Sequence, residues 1–138
     1  GVWKFEAGTM PTAEVVALKE SISFINKIGK DKITKHEDSL KDNAIETLRK
    51  NNAIEFVGSP KEQGSVFSFN IKNIHPHDVS TIFDQEGVAV RGGHHCCQIL
   101  HDRLNINSSV RVSFGVYNDK DDILALDNAI KKCQKIFS

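Results

Sequence analysis

The chain has 138 residues, with 18 acidic and 18 basic side chains and no formal net charge at neutral pH. That length suits one compact domain with a real core, and the balance of charge supplies no field that would gather nucleic acid. No apolar run approaches the roughly 20 residues of a membrane span, and no signal peptide opens the chain. The start on Gly1-Val2-Trp3-Lys4-Phe5 is abrupt and suggests a piece cut from a longer protein. Three cysteines, two of them adjacent, make a poor disulfide framework, so free thiols and a cytoplasmic location are expected.

Over residues 11–28, Val15, Leu18, Ile22 and Ile25 recur at helical spacing, Pro11 suits a first turn and Gly29 suits the position past the end. The pattern predicts a helix with one buried face. A second helix is expected over about 31–51, with Ile33, Leu40, Ala44 and Leu48 on one stripe. Residues 54–57 and the alternating 66–71 read as neighbouring strands, with Gly58-Ser59-Pro60 and Gly64 in the turn region between them. After His75-Pro76-His77-Asp78 a short helix over 79–85 ends at Gly87, and Val88-Ala89-Val90 reads as a brief buried strand leading into a Gly92-Gly93 turn. Another strand is predicted over about 110–116. Asn118 can then cap a last helix whose stripe is Ile123, Leu126, Ile130, Cys133 and Phe137. Cys133 belongs to the core in this reading. The order predicts a small α/β (α+β) sandwich, a mainly antiparallel sheet with helices on one face.

His94, His95, Cys96 and Cys97 are contiguous, so their side chains diverge and at most two could readily reach one metal ion. Structural zinc sites space their ligands by two to four residues, so no metal is expected. A nucleophilic thiol at Cys96 explains the segment better: thiolates need cationic neighbours near neutral pH, and Arg91, His94 and His95 all lie within five residues. Gly92 and Gly93 let the backbone approach a ligand. From spacing alone, the alternative that the histidines only order a loop and that Cys96 is incidental stays open.

Four ordered motifs extend the reading: Phe5-Glu6-Ala7-Gly8-Thr9; His75-Pro76-His77-Asp78; Gly87-Val88-Ala89-Val90-Arg91-Gly92-Gly93-His94-His95-Cys96; and Arg111-Val112-Ser113 through Tyr117-Asn118. Together they resemble the C-terminal part of a SUF-type cysteine desulfurase, a group that selenocysteine-lyase-like enzymes share. The resemblance implies the small domain of a fold-type I, pyridoxal-phosphate-dependent transferase, with residues 1–10 closing a large domain and 11–138 forming the small one. It implies conversion of L-cysteine to L-alanine, with the sulfur left as a persulfide on Cys96 and passed to an acceptor protein for iron–sulfur cluster assembly. By the same resemblance, Arg111 clamps the substrate carboxylate through a bidentate fork. Gly8 and Thr9 match positions that reach the cofactor phosphate of the neighbouring subunit, which implies a homodimer. Arg91, His94 and His95 tune the thiol or order its loop, while His75, His77 and Asp78 fix a turn and cap a helix.

Two departures limit the resemblance. Where the family has Ala, Gln, Pro after its cysteine, this chain has Cys97, Gln98 and Ile99, which removes a stiffening proline and places a second thiol beside the first. The family's Ser-x-His-Lys segment, which holds the cofactor lysine, does not occur in this sequence. Covalent attachment of the cofactor by this chain is therefore not expected, nor is activity from it alone. A stand-alone sulfur-carrier module and a selenocysteine lyase remain as the alternative functions.

Overall fold

The computed structural model describes residues 1–58 and 60–138, and of Val2 the backbone only; Ser59, placed by the sequence in a turn, lies outside the described residues. Two compact units result, Gly1–Ile33 and Thr34–Ser138.

The first unit holds a short 3-10 turn, Val2–Phe5, helix α1, Thr12–Ile28, and the opening turn of the next helix, whose remainder belongs to the second unit. Gly29 closes α1 with φ 95°, a conformation that favours glycine, and its N–H donates to the Ile25 carbonyl. The expected buried face is not found: α1 has no buried residue, and Val15, Leu18, Ile22 and Ile25 are 57%, 56%, 50% and 42% exposed. One helix and a turn have no second layer against which to bury an apolar stripe.

In the second unit a four-stranded sheet, β1 (Ile54–Phe56), β2 (Val66–Ile71), β3 (Arg91–Gly93) and β4 (Ser109–Ser113), runs in the order β1-β2-β4-β3 with every pair antiparallel. Alternation in β2 sends Phe67, Phe69 and Ile71 to one face, where Val110 and Val112 of β4 join them. Helices α2 (Lys30–Arg49), α3 (Pro76–Gln85) and α5 (Lys120–Ile136) close that core with Leu40, Ala44, Leu48, Val79, Phe83, Leu126 and Ile130. Cys133 is completely buried there, as its place in the α5 stripe predicts.

His75 caps α3 by accepting the His77 N–H on Nδ1, with Pro76 at the first turn. The cap of α5 is Asp119, one residue later than expected, in a reciprocal capping box with Asp122. Asn118 instead accepts the Gly115 N–H at 2.8 Å and donates to Asp122, which holds the Asp122 carboxyl below its ordinary range. Residues 88–90 are irregular rather than a strand; the ladder begins at Arg91, because only there does register with β4 provide backbone partners. A further helix absent from the sequence reading, α4 (Gln98–Leu104), follows the cysteines and ends at Asn105 in the left-handed conformation.

Candidate active site

The sheet's second face carries the site. Directly opposed residues on antiparallel strands point the same way, so the register places Ser68, Arg111 and Arg91 in one row across β2, β4 and β3. Gly92, between Arg91 and Gly93 on β3, faces α3: a Cβ there would stand 2.9 Å from Ser80 Oγ and 3.1 Å from the Pro76 carbonyl. Close packing of β3 on α3 therefore requires a glycine, and that packing turns Arg91 to the opposite face. Two guanidinium groups side by side on neighbouring strands repel, a cost that an anion bound between them reverses.

Beyond β3 the chain passes through His95 (φ 55°) and Cys96 (φ 60°), two consecutive non-glycine residues in the left-handed region. This bend presents Cys96 to solvent and brings its Sγ to 3.1 Å from Arg91 Nη2, which donates to it. His94 is exposed. His95 folds back over the sheet, its Nε2 2.9 Å from Ser109 Oγ, while Cys97 caps α4 and its thiol donates to the His94 carbonyl at 2.9 Å.

His101, on α4, is the residue that sequence reasoning missed. It is 3% exposed, and its Nε2 lies 3.1 Å from the same Ser109 Oγ that meets His95. Its Nδ1 lies 3.2 Å from the Cys97 carbonyl and 3.8 Å from the Cys97 thiol, and its ring packs at 5.4 and 5.7 Å from those of His94 and His95. The available signal was a helical one, Cys97 and His101 four residues apart on one face, and it depended on seeing α4 at all.

The face is electrically unfinished. Among the described residues, four buried side-chain polar atoms have no hydrogen-bond partner, and all lie on or beside it: Asn70 Oδ1, His95 Nδ1, Ser108 Oγ and Arg111 Nε. Buried polar groups are nearly always paired, so a cluster of orphans marks a surface shaped for an occupant. Arg111 Nε–H is a donor suited to carboxylate. Burial, then the charges of Arg111, His101 and Arg91, hold the His95 imidazole below its ordinary pKa, so it is neutral over a wider range.

Of the residues singled out from the sequence, the structure brings Arg91, His94, His95, Cys96 and Arg111 to this end of the sheet. Gly8 and Thr9 belong to the other compact unit, where both are exposed and Gly8 has φ 76° with open space at its Cβ position. No three His, Cys, Asp or Glu side chains converge as a metal site among the described residues. No helix is long and apolar enough to cross a membrane among them either.

Residues 2–126 match the family described as aminotransferase class-V. The chain is 46% identical over 136 residues to a Staphylococcus aureus (strain Mu50) protein named "Probable cysteine desulfurase", covering 98% of this chain and 33% of that protein. A Halobacterium salinarum protein of the same name is 42% identical over 137 residues, again with 33% of its length covered. Among solved structures, the apo cysteine desulfurase of Thermococcus onnurineus NA1 superposes with a TM-score of 0.88 at 33% identity, over 96% of this chain and 33% of that one. The cysteine desulfurase CsdA of Escherichia coli, in an S-sulfonic acid form, gives 0.88 at 28% identity over 97% of this chain and 33% of that one. The chain thus spans about a third of the length of the relatives it matches.

Proposed function

Since this chain belongs to the aminotransferase class-V family, we propose that it forms the small-domain part of a cysteine desulfurase of the SUF type, with Cys96 as the residue that receives sulfur. The observation that carries this reading is the exposed Cys96 sulfur held 3.1 Å from Arg91, on a loop beside a sheet face whose buried polar atoms lack partners. Residues 1–10 belong in this reading to the large domain and 11–138 to the small one.

The chain's own residues divide the work. Arg111 binds the carboxylate of L-cysteine, its unpartnered Nε–H supplying one arm of a bidentate fork, and the opposed Arg91 adds positive charge to the same row. Cys96 attacks the substrate sulfur; the carbon–sulfur bond breaks, the amino-acid part leaves as alanine and the sulfur stays on Cys96 as a persulfide. The left-handed bend at His95 and Cys96 keeps that sulfur at the surface, where an acceptor protein's thiol can remove it for iron–sulfur cluster assembly.

Pyridoxal phosphate supplies the electron sink that makes carbon–sulfur cleavage possible when it is bound. The residues present fit one edge of this group: Gly8 and Thr9 offer an exposed hydroxyl and a backbone with open space, suited to a phosphate brought by a second subunit of a homodimer. Its covalent attachment is assigned to none of them, since no Ser-x-His-Lys segment occurs here. Three free cysteines suit a reducing cytoplasm.

The test is alanine production from L-cysteine by the full-length protein. Cys96→Ser is expected to abolish turnover and Cys97→Ser to retain it within a few-fold; the reverse pattern would refute the assignment.

A further inference from the structure

With both imidazoles neutral, the hydrogen-bond chain beneath the Cys96 loop has one consistent arrangement of protons. A carbonyl oxygen can only accept, so His101 Nδ1, 3.2 Å from the Cys97 carbonyl, must carry a hydrogen; left bare, it would set lone pair against lone pair. The Cys97 thiol offers no way around this. Its single proton is committed to the His94 carbonyl at 2.9 Å, and the sulfur stands 3.8 Å from the imidazole. Neutral His101 therefore has a bare Nε2, and the Ser109 hydroxyl at 3.1 Å must donate to it. Having given up its proton, Ser109 Oγ can only accept from His95 Nε2 at 2.9 Å. His95 then carries its hydrogen on Nε2, and its Nδ1 is a bare lone pair. That Nδ1 is buried without a partner, on the face where Arg111 Nε–H also waits for one.

We propose that His95 is the proton acceptor of this site, and that His101 and Ser109 are positioning residues that hold it in the tautomer able to accept. The proton comes from a thiol, either that of the cysteine substrate or that of Cys96. In the step, the S–H bond breaks, an Nδ1–H bond forms, and the electron pair stays on sulfur, giving a thiolate and an imidazolium. The groups facing His95 are Arg111 on β4, Arg91 on β3 and His101 on α4. Burial, and the guanidinium charges of Arg111 and Arg91, keep the imidazole neutral and ready before the step and make the imidazolium short-lived after it. The proposal rests on the sulfur-transfer reading for the identity of the thiol, but its proton arrangement does not.

Nitrogen-15 NMR of the imidazole rings in this chain at neutral pH tests the arrangement directly. The expected result is His95 protonated on Nε2 with a bare Nδ1, and His101 the reverse; a hydrogen on His95 Nδ1 overturns the proposal. Its chemistry is tested in the full-length protein with His95→Gln, whose amide can still donate to Ser109 but cannot take a proton. The expected loss in kcat is about 10²- to 10⁴-fold, with the acid limb of the pH profile gone and KM within a few-fold. An acid limb unchanged in position overturns the proposal. The pH profile of Cys96 alkylation, read by mass spectrometry, separates the two proton sources: it changes in His95→Gln if the thiol is Cys96, and stays the same if it is the substrate's. If Cys96→Ser retains turnover, the sulfur-transfer reading fails while the NMR result stands on its own.

Discussion

The two faces of the sheet are built from the same strands and could hardly differ more. On the helix-covered face, Phe67, Phe69, Val110 and Val112 alternate into a closed apolar core in which Phe69 and Val110 have no exposed surface. On the other face stand Ser68, Asn70, Ser109 and Arg111: Ser109 meets the imidazoles of His95 and His101, Arg111 is opposed by Arg91, and the orphaned polar atoms gather there. The first face is complete in itself. The second has stored its hydrogen-bonding capacity for something that binds, and the period-2 alternation of a strand is what lets one segment do both.

This contrast predicts where substitutions register. Phe69→Ala removes a fully buried ring from the closed face and is expected to destabilise the second unit by about 3–5 kcal/mol, read as a drop in the denaturation midpoint; a loss under about 1 kcal/mol would mean the core repacks freely. Arg111→Gln, on the open face, is expected to lower kcat/KM of the full-length protein by the equivalent of about 1.5–3 kcal/mol, that of a charged hydrogen bond. It should leave the midpoint unchanged or raise it, since one of two opposed like charges is gone. A loss of stability as large as that of Phe69→Ala would erase the distinction between the faces. Gly92→Ala lies between them: its methyl would meet Ser80 and the Pro76 carbonyl, an overpacking cost of about 1–3 kcal/mol. Ser80→Ala in the same chain should recover part of it.

The smallest effect is one of pH. Burial first, and then Arg111, His101 and Arg91, depress the folded His95 below its ordinary value of about 6.5. The unfolded chain therefore takes up the proton first, and the folded state loses stability as pH falls through about 6.5, levelling off once the folded His95 is also protonated. Urea midpoints measured across this window should show that slope in the wild-type chain and not in His95→Gln. An equal slope in both would assign it to another group.

Much of this was legible in the sequence. The alternation of residues 66–71 and the α5 stripe from Ile123 to Cys133 predict the core face, although Phe137, the last member of that stripe, lies past the helix and is 49% exposed; the run from Arg91 to Cys96 places a cation beside the thiol. Two things were not. The exposure of Val15, Leu18, Ile22 and Ile25 could not be read, because periodicity shows that a helix has an apolar face but not what covers it. His101 could not be read because α4 is only seven residues long and its pattern is dominated by Cys97, Gln98 and Ile99. The partnership of His95 and His101 runs through Ser109, a long-range contact that no local pattern encodes.

The central claim is that Cys96 receives the sulfur. Incubate the full-length protein with L-cysteine, block its thiols, cleave after Arg91 and Arg103, and fragment the released peptide to locate any added sulfur between its two cysteines. The account predicts one extra sulfur on Cys96. A persulfide found only on Cys97, or on neither, would contradict it.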